Sequence, residues 1–341
     1  MFDAAPAKLI GDEGRPVFGI FGEAIPMLNL RRFDYRSVAP GPFRLLPKLA
    51  RVAVKQWQYM GLVSERMIIG AAVVDIGYVA NSFAYAYDRE TGTMREFEFT
   101  DPVKKHTRIS ESSIKGISEY RAHGSHILMD NNIRGGGRRV VINISADLYA
   151  DYEIRENKFT PLCAVTQNGL RGFHYTHKAA GLPVSGKVQF QGRTIELDDG
   201  ASAVLDWSAG CPARYSYWNW ASAAGMIGGK KRVGINFVSG INEKGYTENV
   251  YWVDGKPTKV DTMFFDYNRK DILGPWRIRS NDGKVDLAFT PENERYKNIN
   301  LLLIKSRFHQ PFGRFEGTLQ IGRKKAGVEL YGFVEEHEAL W

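Results

Sequence analysis

The stretch Tyr215–Ser222 carries four aromatic side chains within six positions, just past the middle of the 341-residue chain. Aromatic residues favour β-strands, in which successive side chains point to opposite faces. The pattern predicts that Trp218 and Trp220 share one face, while Tyr217 and Asn219 share the other. Buried indole N–H groups need hydrogen-bond acceptors. Two indoles on one face therefore indicate either the wall of a binding pocket or an aromatic core.

Two carboxylic acids near this stretch are candidates for acid–base catalysis, which needs a group whose pKa is shifted by burial or by a neighbour. Glu248 shares a predicted strand face with Val250 and Trp252. A carboxyl group against indoles would have a raised pKa, which suits a proton donor. The alternative is a Glu that faces solvent from a loop. Asp206, beside Trp207, is a second candidate acid or a residue that caps a turn.

His174 and His309 form the next candidate pair, because each follows a Phe at a similar place in its half of the chain. We include His309 among the candidate catalytic residues, although matching positions in both halves also suit a purely architectural role. Arg307 shares a strand face with His309 by alternation. The two side chains could hold an anion or a carbonyl oxygen, or form a solvated pair.

Amide side chains on the second half of the chain are also candidates, since an amide can orient a carbonyl or hydroxyl group of a ligand. They can equally bond to the backbone in bulges and turns. The complete set predicted to bind a ligand is Trp218, Asn219, Trp220, Tyr217, Asn236, Trp252 and Arg307. Trp218 and Asn219 are the sharpest candidates, because Lys55 and Gln56 stand at the matching places of the first half.

Motifs for cofactor or metal binding are missing from the sequence. The chain has no GxGxxG or GxxxxGK[ST] phosphate loop, no GxSxG nucleophile elbow and no HExxH pair. Glu335, Glu336 and His337 are adjacent, so on a strand they would point to opposite faces rather than converge on a metal. His123 and His126 lie in a loop. We therefore expect no cofactor and no metal.

Composition and charge narrow the class of protein. The net charge is +8, but the basic residues are scattered and do not interleave with aromatics, so nucleic-acid binding is not expected. Cys163 and Cys211 are the only cysteines, which excludes a disulfide framework. No secretory signal is visible, and the longest apolar segments are too short to span a bilayer. We expect a cytoplasmic protein without stable membrane insertion, and the oligomeric state stays open.

The elements that must position these residues are predicted to be β-strands. Short alternating segments such as Phe83–Tyr87 and Arg95–Phe99 are separated by Asp- and Gly-containing turns, as in β-hairpins. No long helical pattern occurs. Many short strands with regular turns predict a sandwich or a barrel. Residues 1–50 are irregular and rich in Pro and Gly, with a short helix predicted near residues 45–52.

The chain contains an internal repeat. Phe173-His174, Gly186, Gln189 and Ile195-Glu196-Leu197 recur in the same order as Phe308-His309, Gly317, Gln320 and Val328-Glu329-Leu330. Trp57 correspondingly matches Trp220. We therefore predict an N-terminal arm (1–50) and two β domains (51–210 and 211–341), with Tyr215–Ser222 as the first strand of the second. Sheets that close on themselves can hold a ligand in the mouth of the barrel.

Several sequence runs resemble those of bacterial proteins grouped as domain of unknown function 2804. They are Trp-Asn-Trp-Ala-Ser at 218–222, Glu-Asn at 248–249, Ser-Arg-Phe-His-Gln-Pro-Phe-Gly at 306–313 and Gly-Phe-Val-Glu-Glu-His-Glu-Ala-Leu-Trp at 332–341. That group is distantly similar to carotenoid 1,2-hydratases, tocopherol cyclases and AttH-like proteins. The resemblance implies an all-β fold of two tandem lipocalin-like antiparallel β-barrels, in agreement with the repeat.

The same resemblance implies a type of chemistry. The hydratases and cyclases protonate or rearrange an apolar isoprenoid in an aromatic pocket without a redox cofactor. Here Trp218 or Trp220 would fill the role of their Trp and Glu248 that of their acid. The function expected is therefore a cofactor-independent hydratase, cyclase or isomerase that acts on a small apolar, lipid-like molecule. The alternatives are a lipocalin-like carrier of such a ligand and a carbohydrate-binding protein.

Overall fold

The computed structural model describes residues 2–38, 51–144, 146–301 and 304–341, and strands dominate these ranges. Single 3-10 turns lie at Leu30–Arg32, Tyr35–Ser37 and Arg51–Ala53. The short helix predicted near residues 45–52 falls almost entirely outside the described residues. Across the described ranges, no helix is both long and apolar enough to cross a membrane.

The strands form two antiparallel sheets, one after the other along the chain. The first sheet contains β1 (Gly19–Phe21), β2 (Lys55–Val63), β3 (Met67–Asp75), β4 (Ala80–Asp88), β5 (Thr93–Asp101), β6 (Thr107–Arg108), β7 (Ile117–Ala122), β8 (Ser125–Asp130), β9 (Gly137–Ile144), β10 (Leu148–Arg155), β11 (Leu162–Asn168), β12 (Gly172–Phe190), β13 (Arg193–Glu196) and β14 (Ser202–Gly210). The second contains β15 (Tyr215–Ile227), β16 (Lys231–Ser239), β17 (Val250–Val253), β18 (Lys256–Lys259), β19 (Met263–Asp266), β20 (Trp276–Ser280), β21 (Val285–Leu301), β22 (Ile304–Ile321) and β23 (Lys324–Leu340).

Both sheets have the same strand order. In the first sheet the main path is β5-β4-β3-β2-β14-β12-β10-β9-β8-β7-β6, so β2 pairs with the last strand, β14, while β1, β11 and β13 lie off this path. In the second the order is β18-β17-β16-β15-β23-β22-β21-β20-β19, so β15 pairs with the last strand, β23. The first sheet curls into a nearly closed barrel and the second into a half barrel. The prediction of two lipocalin-like barrels related by a repeat is confirmed.

The repeat extends to the backbone conformation of a single glycine in each barrel. Gly186 on β12 has φ +143° and Gly317 on β22 has φ +150°, values that L side chains rarely adopt. A Cβ at either position would clash with a carbonyl oxygen of the neighbouring strand, that of Asp151 or Asp286 respectively. The sequence comparison had paired these two glycines, and their shared conformation shows why both must be glycine.

Replacement of Gly317 tests this requirement. We expect Gly317→Ala to lower the free energy of unfolding by about 1–3 kcal/mol, because the new Cβ imposes backbone strain and a clash. Gly327→Ala is the matched control, since a Cβ there meets nothing and its φ is ordinary. The control should change stability by less than about 0.5 kcal/mol in the same denaturant titration. Equal stability of the two variants would contradict the explanation.

Among the described residues, the buried apolar side chains form three cores. Because successive side chains of a strand point to opposite faces, neighbouring residues of one strand belong to different cores. On β2, Met60 and Leu62 point into the first barrel, whereas Tyr59 and Val63 point out of it. On β15, Ala221 and Ala223 point into the second barrel, whereas Trp220 and Ala224 point out of it. The outward residues of both strands belong to one shared core. The barrels therefore pack against each other through their outer faces.

The N-terminal arm packs on the first barrel. β1 pairs with β11, and Ile25, Leu28 and Phe33 are buried in the core of that barrel. The Phe33 ring lies 4.7 Å from the ring of Phe173, measured between centroids. The interior of the first barrel is therefore filled by its own side chains and by the arm.

Candidate functional site between the barrels

A cavity of about 540 Å³ lies between the two barrels and is lined by both. Its aromatic wall consists of Trp57, Tyr59, Tyr78, Phe83, Trp218, Trp220, Phe308 and Trp341. Its buried charged side chains include those of Lys178 on β12, Asp206 on β14, Glu335 on β23 and Glu248, which lies just before β17. The predicted location was the mouth of a barrel. The large residues that point into each barrel fill that space, and the cavity forms where the outer faces meet.

The predicted alternation within Tyr215–Ser222 agrees with the position of this cavity. Trp218 and Trp220 line it, while Tyr217 and Asn219 lie on the other face of β15. Tyr217 Oη and Asn219 Nδ2 both hydrogen-bond the hydroxyl of Tyr267, at 3.1 and 3.0 Å. The two indoles thus form part of a cavity wall, whereas Tyr217 and Asn219 belong to a polar cluster of the second barrel.

Each barrel contributes one tryptophan–carboxylate pair to the cavity. Trp57 Nε1 donates to Asp206 Oδ2 at 2.8 Å, and Trp218 Nε1 donates to Glu335 Oε2 at 3.2 Å. In both pairs the acid lies on the last strand, two residues before the register partner of the tryptophan. The hydrogen bonds therefore make Trp57 the equivalent of Trp218, not of Trp220 as the sequence match suggested.

Asp206 forms a buried ion pair with Lys178. Lys178 Nζ lies 2.8 Å from Asp206 Oδ2, and both side chains are about 5% exposed or less. Ser208 Oγ donates to Asp206 Oδ1 at 2.6 Å. Burial lowers the pKa of Lys178, but the carboxylates of Asp206 and Glu248 outweigh it, so the pKa is raised. The ammonium group also lies 4.3 Å from the centre of the Trp220 ring, within cation–π range.

Glu248 precedes β17 and is 2% exposed. Burial raises its pKa, while the nearby Lys178 opposes this and Asp206 adds to it. The nearby side chains of Asn242 and Thr176 also oppose the rise of this pKa. Its Oε2 atom has no hydrogen-bond partner among the described residues. A proton on Oε2 would therefore form a hydroxyl group that no acceptor in the described ranges engages.

Glu335, on β23, is the third buried carboxyl group of the cavity. Burial raises its pKa to about 7, although the hydrogen bond from Trp218 and the charge of Lys178 act in the opposite direction. Gln310 Nε2 donates to Glu335 Oε1 at 2.7 Å. Near neutral pH this group changes charge within the cavity, and it can both accept and release a proton.

The raised pKa of Glu335 predicts a pH-dependent effect on stability. The pKa of Glu335 is about 7 in the folded protein and 4.5 in the unfolded chain. The contribution of this carboxyl group to the free energy of unfolding is therefore fully present below pH 4.5 and is lost as the pH rises through 7. Glu335→Gln stays neutral throughout. We compare the free energy of unfolding of this variant with that of the parent protein. We expect the difference to favour the variant by about 2 kcal/mol more at pH 8.5 than at pH 5.5. Urea titrations at both pH values measure this, and a pH-independent difference would contradict it.

Two histidines complete the lining, and both are neutral near pH 7. Burial lowers the pKa of His174 to about 4 and that of His337 to about 3. The ring centroids of His174 and Trp57 are 5.1 Å apart, and those of His337 and Trp218 are 4.3 Å apart. Each histidine thus accompanies one of the two tryptophan–carboxylate pairs.

Other predicted site residues lie away from the cavity. His309 Nδ1 contacts Glu294 Oε2 at 3.0 Å, and its ring packs on Tyr296. Arg307 contacts Glu336 and Glu338 at 2.9 and 3.5 Å. Both side chains that were considered for an anion therefore already contact carboxylates of the chain.

The remaining two predicted residues, Asn236 and Trp252, lie outside the cavity lining. Asn236 Oδ1 accepts the indole N–H of Trp220 at 2.8 Å, and its Nδ2 donates to the carbonyl of Glu248 at 2.8 Å. Trp252 is buried in the core between the barrels and donates to the carbonyl oxygen of Thr160. Within the described ranges, no group of three or more His, Cys, Asp or Glu residues is arranged to hold a metal ion.

Lys178 and Glu335 were not predicted as site residues. Glu335 was considered only as part of a metal cluster with Glu336 and His337, and the alternation that excluded that cluster also places Glu335 and His337 together at the cavity. For Lys178 the sequence offers no such signal, because nothing in it shows that the outer face of β12 is covered by a second barrel.

Several solved structures share the fold of this protein. An AttH-type protein from Nitrosomonas europaea has 13% sequence identity and a TM-score of 0.51, covering 83% of this chain and 92% of its own. CghA has 11% identity and a TM-score of 0.52, with coverages of 84% and 88%. Kievitone hydratase from Nectria haematococca has 13% identity and a TM-score of 0.51, with coverages of 84% and 88%. At these identities the similarity establishes the fold.

Comparison of the sequence with known proteins assigns the protein to a family. No curated protein matches the chain. The model of the family described as "Domain of unknown function (DUF2804)" matches residues 4–341, which include both barrels and most of the N-terminal arm. The protein therefore belongs to the DUF2804 family.

Proposed function

We propose that the protein is an acid–base enzyme that hydrates, cyclises or isomerises a small, largely apolar molecule in the cavity between its barrels. The observation that carries this proposal is the concentration of Asp206, Glu248 and Glu335 with Lys178 in one aromatic-walled cavity. Buried ionisable groups are costly unless paired, and such clusters with shifted pKa values are typical of active sites. A cavity that only stored a ligand would need none of them.

Glu248 is the proton donor in this proposal. Burial favours its neutral, protonated form, and no described residue hydrogen-bonds its Oε2 atom. Transfer of this proton to a carbon–carbon double bond breaks the π bond, forms a C–H bond and leaves a carbocation. The faces of Trp57 and Trp218 and the negative charge of Asp206 would stabilise that cation.

Glu335 is the proton acceptor. With a pKa near 7 it is partly ionised at neutral pH, and it lies in the same cavity as Glu248. In a hydration, the oxygen of a water molecule bonds to the cation and one of its protons passes to Glu335. In a cyclisation or isomerisation, Glu335 would remove a proton from carbon instead. Exchange with solvent then returns the proton to Glu248 and completes the cycle.

The dimensions and walls of the cavity limit the substrate. Its volume of about 540 Å³ suits a ligand on the order of 20 non-hydrogen atoms. The sides away from the acids are mostly apolar, with Val74, Ile76, Val79, Val238 and Ile241. Kievitone hydratase, one of the proteins that share the fold, is named for a hydration. That agreement is analogy, and the chemistry rests on the carboxyl groups.

The same apolar walls would also suit a carrier, and one experiment separates the two functions. Native mass spectrometry of the protein purified from its own host should reveal a bound small molecule of the size stated. After release and renewed incubation with the protein, the enzyme proposal predicts conversion to a second species. Return of the ligand unmodified after long incubation would establish a carrier and overturn the proposal.

A further inference from the structure

Two buried polar atoms beside the cavity have no internal partner. They are His174 Nε2 and Glu248 Oε2, on side chains 4% and 2% exposed, and neither has a hydrogen-bond partner in the described part of the chain. They come from different barrels, yet Asn242 hydrogen-bonds His174 and also acts on the pKa of Glu248. An unsatisfied buried polar group costs about 1–3 kcal/mol, so such atoms at a binding cavity indicate a polar ligand group.

The hydrogen-bond network identifies His174 Nε2 as a donor. Thr166 Oγ1 donates to Asn242 Oδ1 at 3.0 Å, and Asn242 Nδ2 donates to His174 Nδ1 at 2.8 Å. Nδ1 also lies 3.1 Å from Asn242 Oδ1, and we assign it as the acceptor of Asn242 Nδ2 because that contact is the shorter one. A neutral imidazole that accepts at Nδ1 carries its proton on Nε2. His174 therefore presents an N–H group, which requires an oxygen or nitrogen acceptor.

The indole N–H groups of the cavity wall are already engaged. The indole N–H groups of Trp57, Trp218 and Trp220 donate to Asp206, Glu335 and Asn236. The hydroxyl of Tyr59 bonds that of Tyr85 at 2.8 Å, and His337 Nε2 bonds Ser306 Oγ at 2.8 Å. Among the described indole and imidazole groups of the wall, the N–H group of His174 is the buried donor left without an acceptor.

We infer that the substrate is an oxygenated apolar molecule, and that His174 Nε2–H donates a hydrogen bond to its carbonyl or hydroxyl oxygen beside Glu248. This inference rests on the proposed function for the location of the site, and it adds the substrate class. A pure hydrocarbon would leave the imidazole unsatisfied. Sites built to hydrogen-bond an oxygen discriminate strongly against analogues that lack it.

Binding of two probes of nearly equal shape tests the inference. 2-Acetylnaphthalene has a carbonyl oxygen where 2-isopropenylnaphthalene has a methylene group, and both fit within the cavity volume. Quenching of tryptophan fluorescence measures the affinity of each. We expect the parent protein to bind the ketone at least about tenfold more tightly. His174→Phe should reduce that ratio to about one while it retains affinity for the hydrocarbon.

His309→Phe is the matched control, because His309 stands at the equivalent place in the second barrel and outside the cavity. It should keep the preference for the ketone. Equal affinities in the parent protein would assign the His174 N–H to a bound water and overturn the inference, as would an unchanged ratio in His174→Phe or failure of both probes to bind. Since the readout is binding, a selective but inert protein would refute the proposed function and leave this inference intact.

Discussion

Glu248→Gln should abolish turnover and leave ligand binding nearly intact. The amide has almost the same shape as the carboxylic acid but cannot deliver a proton. Loss of a general acid lowers rates by about 10²–10⁴-fold. The ligand dissociation constant should change only a few-fold, because the walls of the cavity are untouched. Single-turnover kinetics with the ligand identified by mass spectrometry, together with a binding titration, measure both quantities.

The control for this variant is Glu153→Gln. Glu153 is exposed on β10 and lies outside the cavity, so its replacement should leave both turnover and binding at parent values. If Glu248→Gln turns over the ligand at the rate of the parent protein, Glu248 is not the acid. If it loses binding as strongly as turnover, its role is to hold the ligand.

Lys178→Met should cost about 3–5 kcal/mol of folding free energy, the largest stability effect that we expect in the cavity. The substitution leaves Asp206 buried without its cationic partner, and removal of one member of a buried ion pair has a cost of this size. The hydrogen bonds from Trp57 and Ser208 would remain. Urea denaturation followed by circular dichroism measures the loss.

The double variant Lys178→Met/Asp206→Asn separates the ion pair from packing. With both charges removed, most of the lost stability should return, because no buried charge remains unpaired. Strictly additive losses in the double-mutant cycle would show that Lys178 contributes through packing on Trp220 alone. The double variant should still be inactive, since the carboxylate proposed to stabilise the cation is gone.

Much of the fold was predictable because β-structure leaves a period of two in the sequence. Trp218 and Trp220 share a face in the structure as their spacing predicts, and Gly186 and Gly317 share the conformation that their alignment suggests. The repeat signal is strong at these glycines because only Gly tolerates their backbone angles. It is weak at the tryptophans. The sequence matched Trp57 with Trp220, whereas the hydrogen bonds show that Trp57 corresponds to Trp218.

The site was only partly predictable, because alternation sorts residues into two faces without saying which face lies inside a barrel. Residues assigned to one strand, such as Trp218 and Asn219, therefore separate into a cavity wall and a polar cluster. Lys178 and Glu335 reach the cavity only because two outer faces meet, and docking between barrels leaves no local pattern. Glu248 and Asp206 were identified by their apolar neighbours, which are visible in the sequence without the tertiary structure.

Incorporation of solvent hydrogen tests the central claim most directly. The ligand released from the protein is incubated with it in D₂O, and the products are analysed by mass spectrometry after exchange of labile hydrogens back to protium. Proton transfer from Glu248 to carbon predicts a product that retains one deuterium on carbon, and Glu248→Gln should suppress it. A ligand recovered without deuterium on carbon, whether unchanged or converted, would contradict acid–base catalysis in the cavity between the barrels.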